Sequence, residues 1–164
     1  MANGFSLRSQ DIINSNLGDL WVTFPSGIRR RMGEVRNIQA RIEVAVEEFR
    51  CLGEMMHRHK GVGTRGSGSM TIYTGTPEFL SLIRHFNDDH INYRVSITCQ
   101  IYDPETTDSD GRGSQMAIIN DVLLHGVELF KLDTEDGILD QDVDFDFDSF
   151  TIPTPFNGAR PVET

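Results

Sequence analysis

The chain has 164 residues, of which 38% are hydrophobic and 24% charged, and its formal net charge at pH 7 is −10. This length fits one domain, which would bury ~70% of the surface that the unfolded chain exposes. The negative charge argues against a dedicated nucleic-acid binder, because such proteins use Lys and Arg to displace phosphate counterions. No apolar run approaches the ~20 residues of a membrane span, and the start of the chain lacks a secretory signal pattern, so we expect a protein made and kept in the cytoplasm, without a membrane anchor.

The first part of the chain predicts an arm, a short strand and a basic turn. Residues 1–18 are polar and turn-rich and form the expected N-terminal arm. The stretch "DLWVTFPSG" (19–27) predicts a strand closed by a Pro-Ser-Gly turn. Four arginines follow within residues 27–36, including Arg29, Arg30 and Arg31. They are typical of a solvated strand end or turn, or of contact with an acidic neighbour.

The region from residue 37 to residue 75 predicts a strand, a glycine-rich loop and a second strand. Ile42, Val44 and Val46 alternate with polar residues, although the same segment also fits a helical period. The β-branched residues favour a strand, with a bulge near Glu47–Glu48 that shifts the alternation. Residues 59–69, "HKGVGTRGSGS", then predict a loop, and "MTIYTG" predicts the strand that follows it.

The stretch "TPEFLSLIRHFND" (76–88) predicts the helix. Thr76 is a suitable cap, Pro77 suits the first helical position, and Asn87 is a residue that can end a helix. Its spacing produces one apolar stripe, formed by Phe79, Leu82, Ile83 and Phe86.

The remaining residues predict further strands and a proline-rich tail. "NYRVSITCQIYD" alternates cleanly, "DPETTDSDGRGS" predicts a hairpin-type connection, and "QMAIINDVLLHGVELFKLD" predicts a long strand or pair bent at Gly126. Six or seven strands with one helix indicate a mainly β fold, a β-sandwich or barrel with one flanking α-helix. The expected domain spans residues 19–153, and residues 154–164 form a C-terminal tail.

The acidic stretch "DQDVDFDFDSF" (140–150) raises the question of a carboxylate site. Five aspartates occupy every second position, which places them on one face of a strand. A strand face alone defines no cleft, so we interpret the aspartates as the solvated face. The opposite face is predicted to be core, formed by Val143, Phe145 and Phe147, and Phe150 is counted with the same core strand.

The other candidate sites fail on spacing or context. Gly61, Gly63 and Gly66 spell G-x-G-x-x-G, but no helix opens at its end as a dinucleotide site requires. "TTDSDG" lacks the ligands of a calcium loop, and "HRH" with Cys51 fits no usual zinc spacing. Cys51 and Cys99 are too few for a disulfide scaffold and are predicted to be buried thiols. We therefore predict no enzyme, no cofactor and no metal.

Two motifs and the order of elements carry a family resemblance. "HKGVGTRGSGSMTIY" follows an LG-x-x-M-x-x-H-K lead-in, and an F-x-F-x-x-F-x-x-P pattern closes the domain. Over roughly residues 18–153 the chain resembles the tail tube proteins of contractile-tailed phages and of phage-like bacteriocin particles. The N-terminal arm and the arginine-rich hairpin are longer than is usual in that family.

The resemblance implies a structural virion protein that assembles with itself into hexameric rings. The rings would stack into the inner tail tube, which lies inside a contractile sheath and conducts DNA across the host envelope without binding it specifically. The implied partners are further copies of the chain and the tail sheath, baseplate and tail terminator proteins. The implied location is the virion tail, assembled in the bacterial cytoplasm.

The expected interface and lumen residues are polar or glycine residues. The predicted subunit and ring interface comprises His57, Lys60, Gly61, Gly63, Arg65, Gly66, Gly68, Arg29, Arg30 and Arg31. The predicted lumen-facing residues are Arg41, Glu43, Glu47, Arg94, Ser96, Thr98 and Gln100. Two alternatives remain: the tube of a bacteriocin or secretion device, and a monomeric β-sandwich that binds calcium or carbohydrate.

Overall fold

The computed structural model describes residues 16–73, 77–104, 114–132 and 137–154. It is mainly β, with one helix among these residues. In chain order the elements are β1 (Gly18–Thr23), β2 (Arg29–Arg31), β3 (Val35–Phe49), β4 (Arg58–Tyr73), α1 (Glu78–Asp89), β5 (Val95–Tyr102), β6 (Ser114–Val127), β7 (Asp140–Phe147) and β8 (Ser149–Thr154). The predicted mainly β class with one helix is confirmed.

Contacts divide the chain into two compact units. The first unit contains residues 1–33, 96–119 and 150–164. Its strands follow the order β2, β1, β5 and β6, with β8 also paired to β6. The predicted turn after β1 is present, with Gly27 at φ +84° and a 2.9 Å hydrogen bond from its N–H to the carbonyl of Phe24. Its core contains Leu20, Val22, Met32, Ile97 and Ile119.

The second unit contains residues 34–95 and 120–149. Its strands follow the order β6, β7, β4 and β3. β3 and β4 form a long antiparallel hairpin, and β7 pairs with β4 from Gly66 opposite Phe147 to Tyr73 opposite Asp140. Its core contains Met70, Ile72, Phe79, Val95, Val122, Leu124, Val143, Phe145 and Phe147.

Two irregularities in the second unit differ from or refine the predictions. The bulge predicted near Glu47–Glu48 is found between Ala45 and Val46 instead. The pairing register shifts there, and the extra residue lies on β4. In β6 the register shifts between Leu124 and Gly126, next to the predicted bend.

Helix α1 begins and ends differently from the prediction. Pro77 is the residue before the first helical turn, and the predicted cap Thr76 lies outside the described residues. Phe79 is buried, whereas Phe86 is exposed, so the expected stripe is only partly covered. The helix continues past Asn87 to Asp89, and His90 ends it in the left-handed conformation (φ 58°) with its N–H bonded to the carbonyl of Phe86.

Several other predictions fall wholly or partly outside the described residues. The arm (1–18) is described only from residue 16, and the tail (154–164) only at Thr154. Most of the connection "DPETTDSDGRGS" also lies outside, as does the rejected calcium motif within it.

Candidate functional site

The aspartate strand has one core face and one polar face, as its period of two predicted. Val143, Phe145 and Phe147 are buried, whereas Asp142 and Asp144 are exposed. Phe150 is the exception: it is 50% exposed and lies on β8, not in the core. β7 ends at Phe147, and the alternation itself would place Phe150 on the aspartate face and not among the buried residues.

The polar face of the second unit combines three strands. Residues directly opposite each other in an antiparallel pair point to the same side of the sheet. Asp142, Asp144 and Asp146 therefore share a face with their partners on β4, which are Thr71, Ser69 and Ser67. Arg41 lies opposite Ser67 and Glu43 lies opposite Arg65, so the charged residues of β3 join the same face.

A shallow groove of about 330 Å³ lies on this polar face. Its lining includes Arg41, Arg65, His125, Asp144 and Asp146. One Asp146 carboxylate oxygen lies 3.5 Å from Nη2 of Arg65 and the other lies 3.4 Å from Nδ1 of His125. These exposed ion pairs contribute little stability individually. Chemically, the groove presents a wetted surface of mixed charge.

The predicted lumen-facing residues divide between the two units. Arg41, Glu43 and Glu47 alternate along β3 and lie on the polar face with the aspartates of β7. The remaining residues of that prediction are at or beside β5: Arg94, Ser96, Thr98 and Gln100.

Two of these residues, Arg94 and Ser96, already have side-chain contacts within the chain. Arg94 is paired with the Asp148 carboxylate, and its Nη1 also lies 3.2 Å from the carbonyl oxygen of Asp121. Ser96 donates to the carbonyl oxygen of Ile119 at 3.3 Å. Which of these faces borders a lumen stays a prediction.

The predicted glycine-rich loop is wrong as a loop, because residues 59–69 form most of β4. Lys60, Gly61, Gly63, Arg65, Gly66 and Gly68 are therefore strand residues, and only His57 precedes the strand. The physical reason is the packing of two aromatic rings. A Cβ on Gly66 would lie 2.3 Å from the ring of Phe147, and one on Gly68 would lie 2.5 Å from the ring of Phe145. The glycines leave the space in which these rings are buried.

The predicted basic interface residues form β2, and two of them have described partners within the first unit. The guanidinium of Arg29 lies 4.8 Å from the centroid of the Trp21 ring, a cation–π arrangement. Arg31 pairs with Asp19. The interpretation of these arginines as residues that contact an acidic neighbour therefore applies to Arg31. It also applies to Arg36, which bonds Asp140 at 2.9 Å in the second unit. A role for Arg30 between subunits stays a prediction.

The outer half of the β3–β4 hairpin carries an exposed apolar strip formed by Ile42, Val44 and Val46. These residues continue the side of the sheet on which Met70 and Val143 are buried. Val44 is nevertheless 58% exposed. The alternation in the sequence predicted a strand here and did not say what covers its apolar side. Only the structure shows that the hairpin strip extends beyond the described core.

Asp140 and Lys131 form a charged network at the base of β7. Nζ of Lys131 lies 2.8 Å from one Asp140 oxygen, and Arg36 approaches the other. The hydrogen bond to Lys131 lowers the pKa of Asp140 below its ordinary value, and the same bond raises the pKa of Lys131. Both groups therefore remain charged near neutral pH.

The cysteines are half-buried and free, rather than fully buried as predicted. Burial raises the pKa of the Cys99 thiol, which makes it a poor nucleophile. Across residues 16–73, 77–104, 114–132 and 137–154, no group of three or more His, Cys, Asp or Glu is arranged to hold a metal ion. Within the same ranges, no helix has the length and apolarity needed to cross a bilayer.

Comparisons with known proteins find similar chains among a phage-like element, an anti-feeding prophage and a contractile injection system. The chain is 24% identical over 152 residues to the phage-like element PBSX protein XkdM of Bacillus subtilis (strain 168), covering 90% of this chain and 95% of that protein. Its fold is similar to a chain in the six-fold symmetrised baseplate of the anti-feeding prophage (TM-score 0.65, 9% identity, 86% and 95% of the two chains). It is also similar to a chain in the sheath–tube complex of the extracellular contractile injection system PVC (TM-score 0.61, 12% identity, 90% and 98%).

The family model described as phage tail tube protein matches residues 5–153. That match covers both compact units and all the described strands except the final residue of β8. The chain therefore belongs to the phage tail tube protein family and has a structural role in a tail tube.

Proposed function

We propose that this chain assembles into hexameric rings, which stack into a hollow inner tube that conducts DNA inside a contractile sheath. Its role is structural and involves no catalysis. The tube is part of the virion tail and is assembled in the bacterial cytoplasm. Its partners are further copies of the chain and the sheath, baseplate and terminator proteins of the tail.

The observation that carries the proposal is the exposed edge of β3. Among the described strands, β3 pairs with β4 alone, yet it is 15 residues long. An unpaired edge of this length is a template for pairing with another chain, and stable monomers avoid such edges. The hairpin strip adjoins this edge. A neighbouring copy on β3 would satisfy the edge hydrogen bonds and cover the apolar side chains, and repetition around a ring leaves no edge exposed.

The structural relatives support six copies in each ring and the sheath as a partner. One similar chain belongs to a baseplate with six-fold symmetry, and another belongs to a complex of sheath and tube. A hexameric ring and contact with a sheath are the corresponding properties proposed for this chain.

We assign the polar face of β3, β4 and β7 to the lumen. It carries Asp142, Asp144 and Asp146 from a chain whose net charge is −10. An acidic wall repels DNA phosphates at short range, which lets the genome slide without adhering. This assignment keeps Arg41, Glu43 and Glu47 among the predicted lumen residues and adds the aspartates to them.

A second candidate function is the tube of a contractile device that carries no genome. It is favoured by the similarity to a chain of an extracellular contractile injection system. The two functions share the same ring and tube, and differ in the cargo. Purifying assembled particles from the producing bacterium and measuring their nuclease-protected DNA distinguishes them.

Assembly itself is tested with the purified chain and two matched variants. We expect the wild type to form rings or tubes with a central hole in negative-stain electron microscopy. Val44→Asp places a charge in the hairpin strip and should leave a monomer of 18.5 kDa in analytical ultracentrifugation. Phe86→Asp is the control, because Phe86 is also exposed but lies on α1, outside the hairpin strip and the predicted interface residues. A wild-type chain that stays monomeric at high concentration contradicts the proposal.

The lumen assignment needs a positional label. Glu43→Cys, tagged with a small gold cluster in a Cys51→Ser background, should place density on the tube axis side in cryo-electron microscopy. Density on the outer wall would refute the assignment without affecting the proposed tube.

A further inference from the structure

The basic strand β2 is an open edge of the first unit. Among the described strands it pairs with β1 alone. Ile28 and Met32 make backbone hydrogen bonds to the β1 side. Because successive residues of an antiparallel strand turn their backbone groups to opposite sides, those of Arg29 and Arg31 point away from β1. This edge can therefore accept a further strand, as unpaired edges do.

The guanidinium of Arg29 is positioned by an aromatic ring. It lies 4.8 Å from the centroid of the Trp21 ring, a contact that arginine commonly makes and that restricts its side chain. Across residues 16–73, 77–104, 114–132 and 137–154, no oxygen atom accepts a hydrogen bond from this side chain. The edge thus presents a positioned guanidinium, and the N–H groups of a guanidinium match the two oxygens of a carboxylate.

The face of β1 and β2 that carries Arg29 is basic, although the chain as a whole is acidic. Arg31 lies opposite Trp21 in the pairing register, so both arginines share this face. Arg31 pairs with Asp19, and the two side chains remain 62% and 44% exposed. Two guanidinium groups and one carboxylate are therefore presented here, in a chain whose net charge is −10. This local charge favours a partner that carries carboxylates.

The other face of the same edge is apolar. Ile28 and Met32 flank β2 and, by the alternation of a strand, lie on the face opposite to Arg29. Met32 is buried, whereas Ile28 is 65% exposed. A segment that pairs with β2 would meet positive charge on one face and an apolar side chain on the other. The matching pattern is therefore carboxylates at alternate positions, with apolar residues between them.

The described strands of this chain do not supply such a segment. A second copy of β2 would place arginine against arginine, and like charges directly opposite each other are destabilising. β7 has the matching pattern, but it is already paired with β4 on one side and with β6 on the other. β3 has an open edge, but pairing it with the three residues of β2 would leave most of its 15 residues uncovered. The occupant that fits is a second protein.

We propose that β2 docks an extended acidic segment of the tail sheath protein, which adds to the sheet as a further strand. A carboxylate of that segment accepts two hydrogen bonds from Arg29, and its backbone pairs with Arg29 and Arg31. This inference rests on the proposed tube function, in which the sheath surrounds the tube. Each contact spans three residues, about 10 Å, and is weak alone. Repetition on every subunit multiplies the hold of the sheath on the tube.

Peptide binding tests the docking chemistry. The probe is a short fluorescein-labelled peptide in which glutamate alternates with valine, measured by fluorescence polarisation at a concentration where gel filtration shows only monomer. Arg29→Glu should weaken binding at least tenfold, because it removes hydrogen bonds between charged groups. Arg29→Lys should also weaken binding, because lysine lacks the planar fork of the guanidinium. Arg84→Glu on α1 is the matched control, since Arg84 is 81% exposed.

Two further peptides separate the charge from the strand pairing. A peptide in which lysine replaces glutamate should not bind. A glutamate peptide that is N-methylated at alternate positions keeps its carboxylates but loses backbone donors, and it should bind at least tenfold more weakly. Equal binding of the glutamate and lysine peptides overturns the acidic partner. Equal binding of the N-methylated peptide overturns the added strand.

Assembly with the sheath tests the choice of partner. The chain is co-expressed with the sheath protein of the same particle, and the products are viewed by negative-stain electron microscopy. The wild type and Arg84→Glu should give sheathed tubes, whereas Arg29→Glu should give tubes without a sheath. Circular dichroism checks that each variant is folded.

The outcomes distinguish this contact from the tube function. Sheathed tubes from Arg29→Glu overturn the contact and leave the tube function standing. If folded Arg29→Glu forms no tubes even without the sheath, the edge binds a second copy of the chain, which also overturns the contact. A wild-type chain that forms neither rings nor tubes overturns the tube function itself.

Discussion

Replacing three glycines of β4 by alanine should produce a graded loss of stability. A Cβ on Gly68 would lie 2.5 Å from both the Gln39 carbonyl oxygen and the Phe145 ring, and backbone cannot move aside. The three atoms nearest to a Cβ on Gly66 all belong to the Phe147 ring, a side chain that can shift. Nothing lies within 4 Å of a Cβ on Gly63. The three sites thus differ in the room available for a methyl group, although all three lie on β4.

The expected magnitudes follow from the cost of overpacking, which is about 1–3 kcal/mol. We expect Gly68→Ala to lower the free energy of unfolding by about 3 kcal/mol and Gly66→Ala by about 1–2 kcal/mol. Gly63→Ala should raise it by roughly 0.5 kcal/mol, because alanine reduces the entropy of the unfolded chain. For a chain of this size, 3 kcal/mol corresponds to a fall in Tm of roughly 6–12 °C.

The assay is urea unfolding followed by far-ultraviolet circular dichroism, at a concentration where gel filtration shows only monomer. Working with the monomer keeps contacts between copies out of the measured stability. If Gly68→Ala proves as stable as Gly63→Ala, then the close approach of the Phe145 ring does not explain why this segment is glycine-rich.

Three further predictions concern the same monomer. Asp140→Asn should lower the Tm at pH 7. Because folding lowers the pKa of Asp140, the stability that its charge contributes is complete above the unfolded pKa of about 4 and is lost as the pH falls through the folded pKa. The Tm values of the wild type and the variant should therefore converge in acid. His90→Gly should raise the free energy of unfolding by about 0.5–1 kcal/mol, and with it the Tm, because glycine adopts the left-handed conformation at the helix end without strain. An unchanged or lower Tm contradicts this. Phe145→Ala should cost about 3–5 kcal/mol in urea unfolding and Phe150→Ala less than about 1 kcal/mol, since only the former is fully buried; equal losses would place Phe150 back in the core.

The aspartate strand shows how far a local pattern can be trusted. Its alternation of Asp with Val and Phe predicted which side chains are buried, because a strand must turn successive residues to opposite faces. The prediction holds from Val143 to Phe147 and fails at Phe150. The failure has a specific cause: Phe150 is an even number of positions from the aspartates, so a strict period of two places it on their face, and its assignment to the core departed from the pattern.

The glycine-rich segment shows the opposite case. Glycine lacks a side chain, so its local preference indicates a loop. Whether such a segment pairs as a strand depends on what occupies the space above it, and here Phe145 and Phe147 come from a strand more than 70 positions later in the chain. Local sequence reasoning has no access to that packing, and it therefore placed residues 59–69 of β4 in a loop.

The sequence by itself determined the mainly β class, helix α1, the two faces of β7 and the family to which the chain belongs, because these depend on periodicity and on motifs along the chain. The tertiary structure alone decided that residues 59–69 continue β4 as a strand, that the aspartates share a face with Arg41 and Glu43, and that the hairpin strip is exposed. The physical reason is that burial and register depend on neighbours distant in sequence, and each residue pattern is compatible with either outcome until those neighbours are placed.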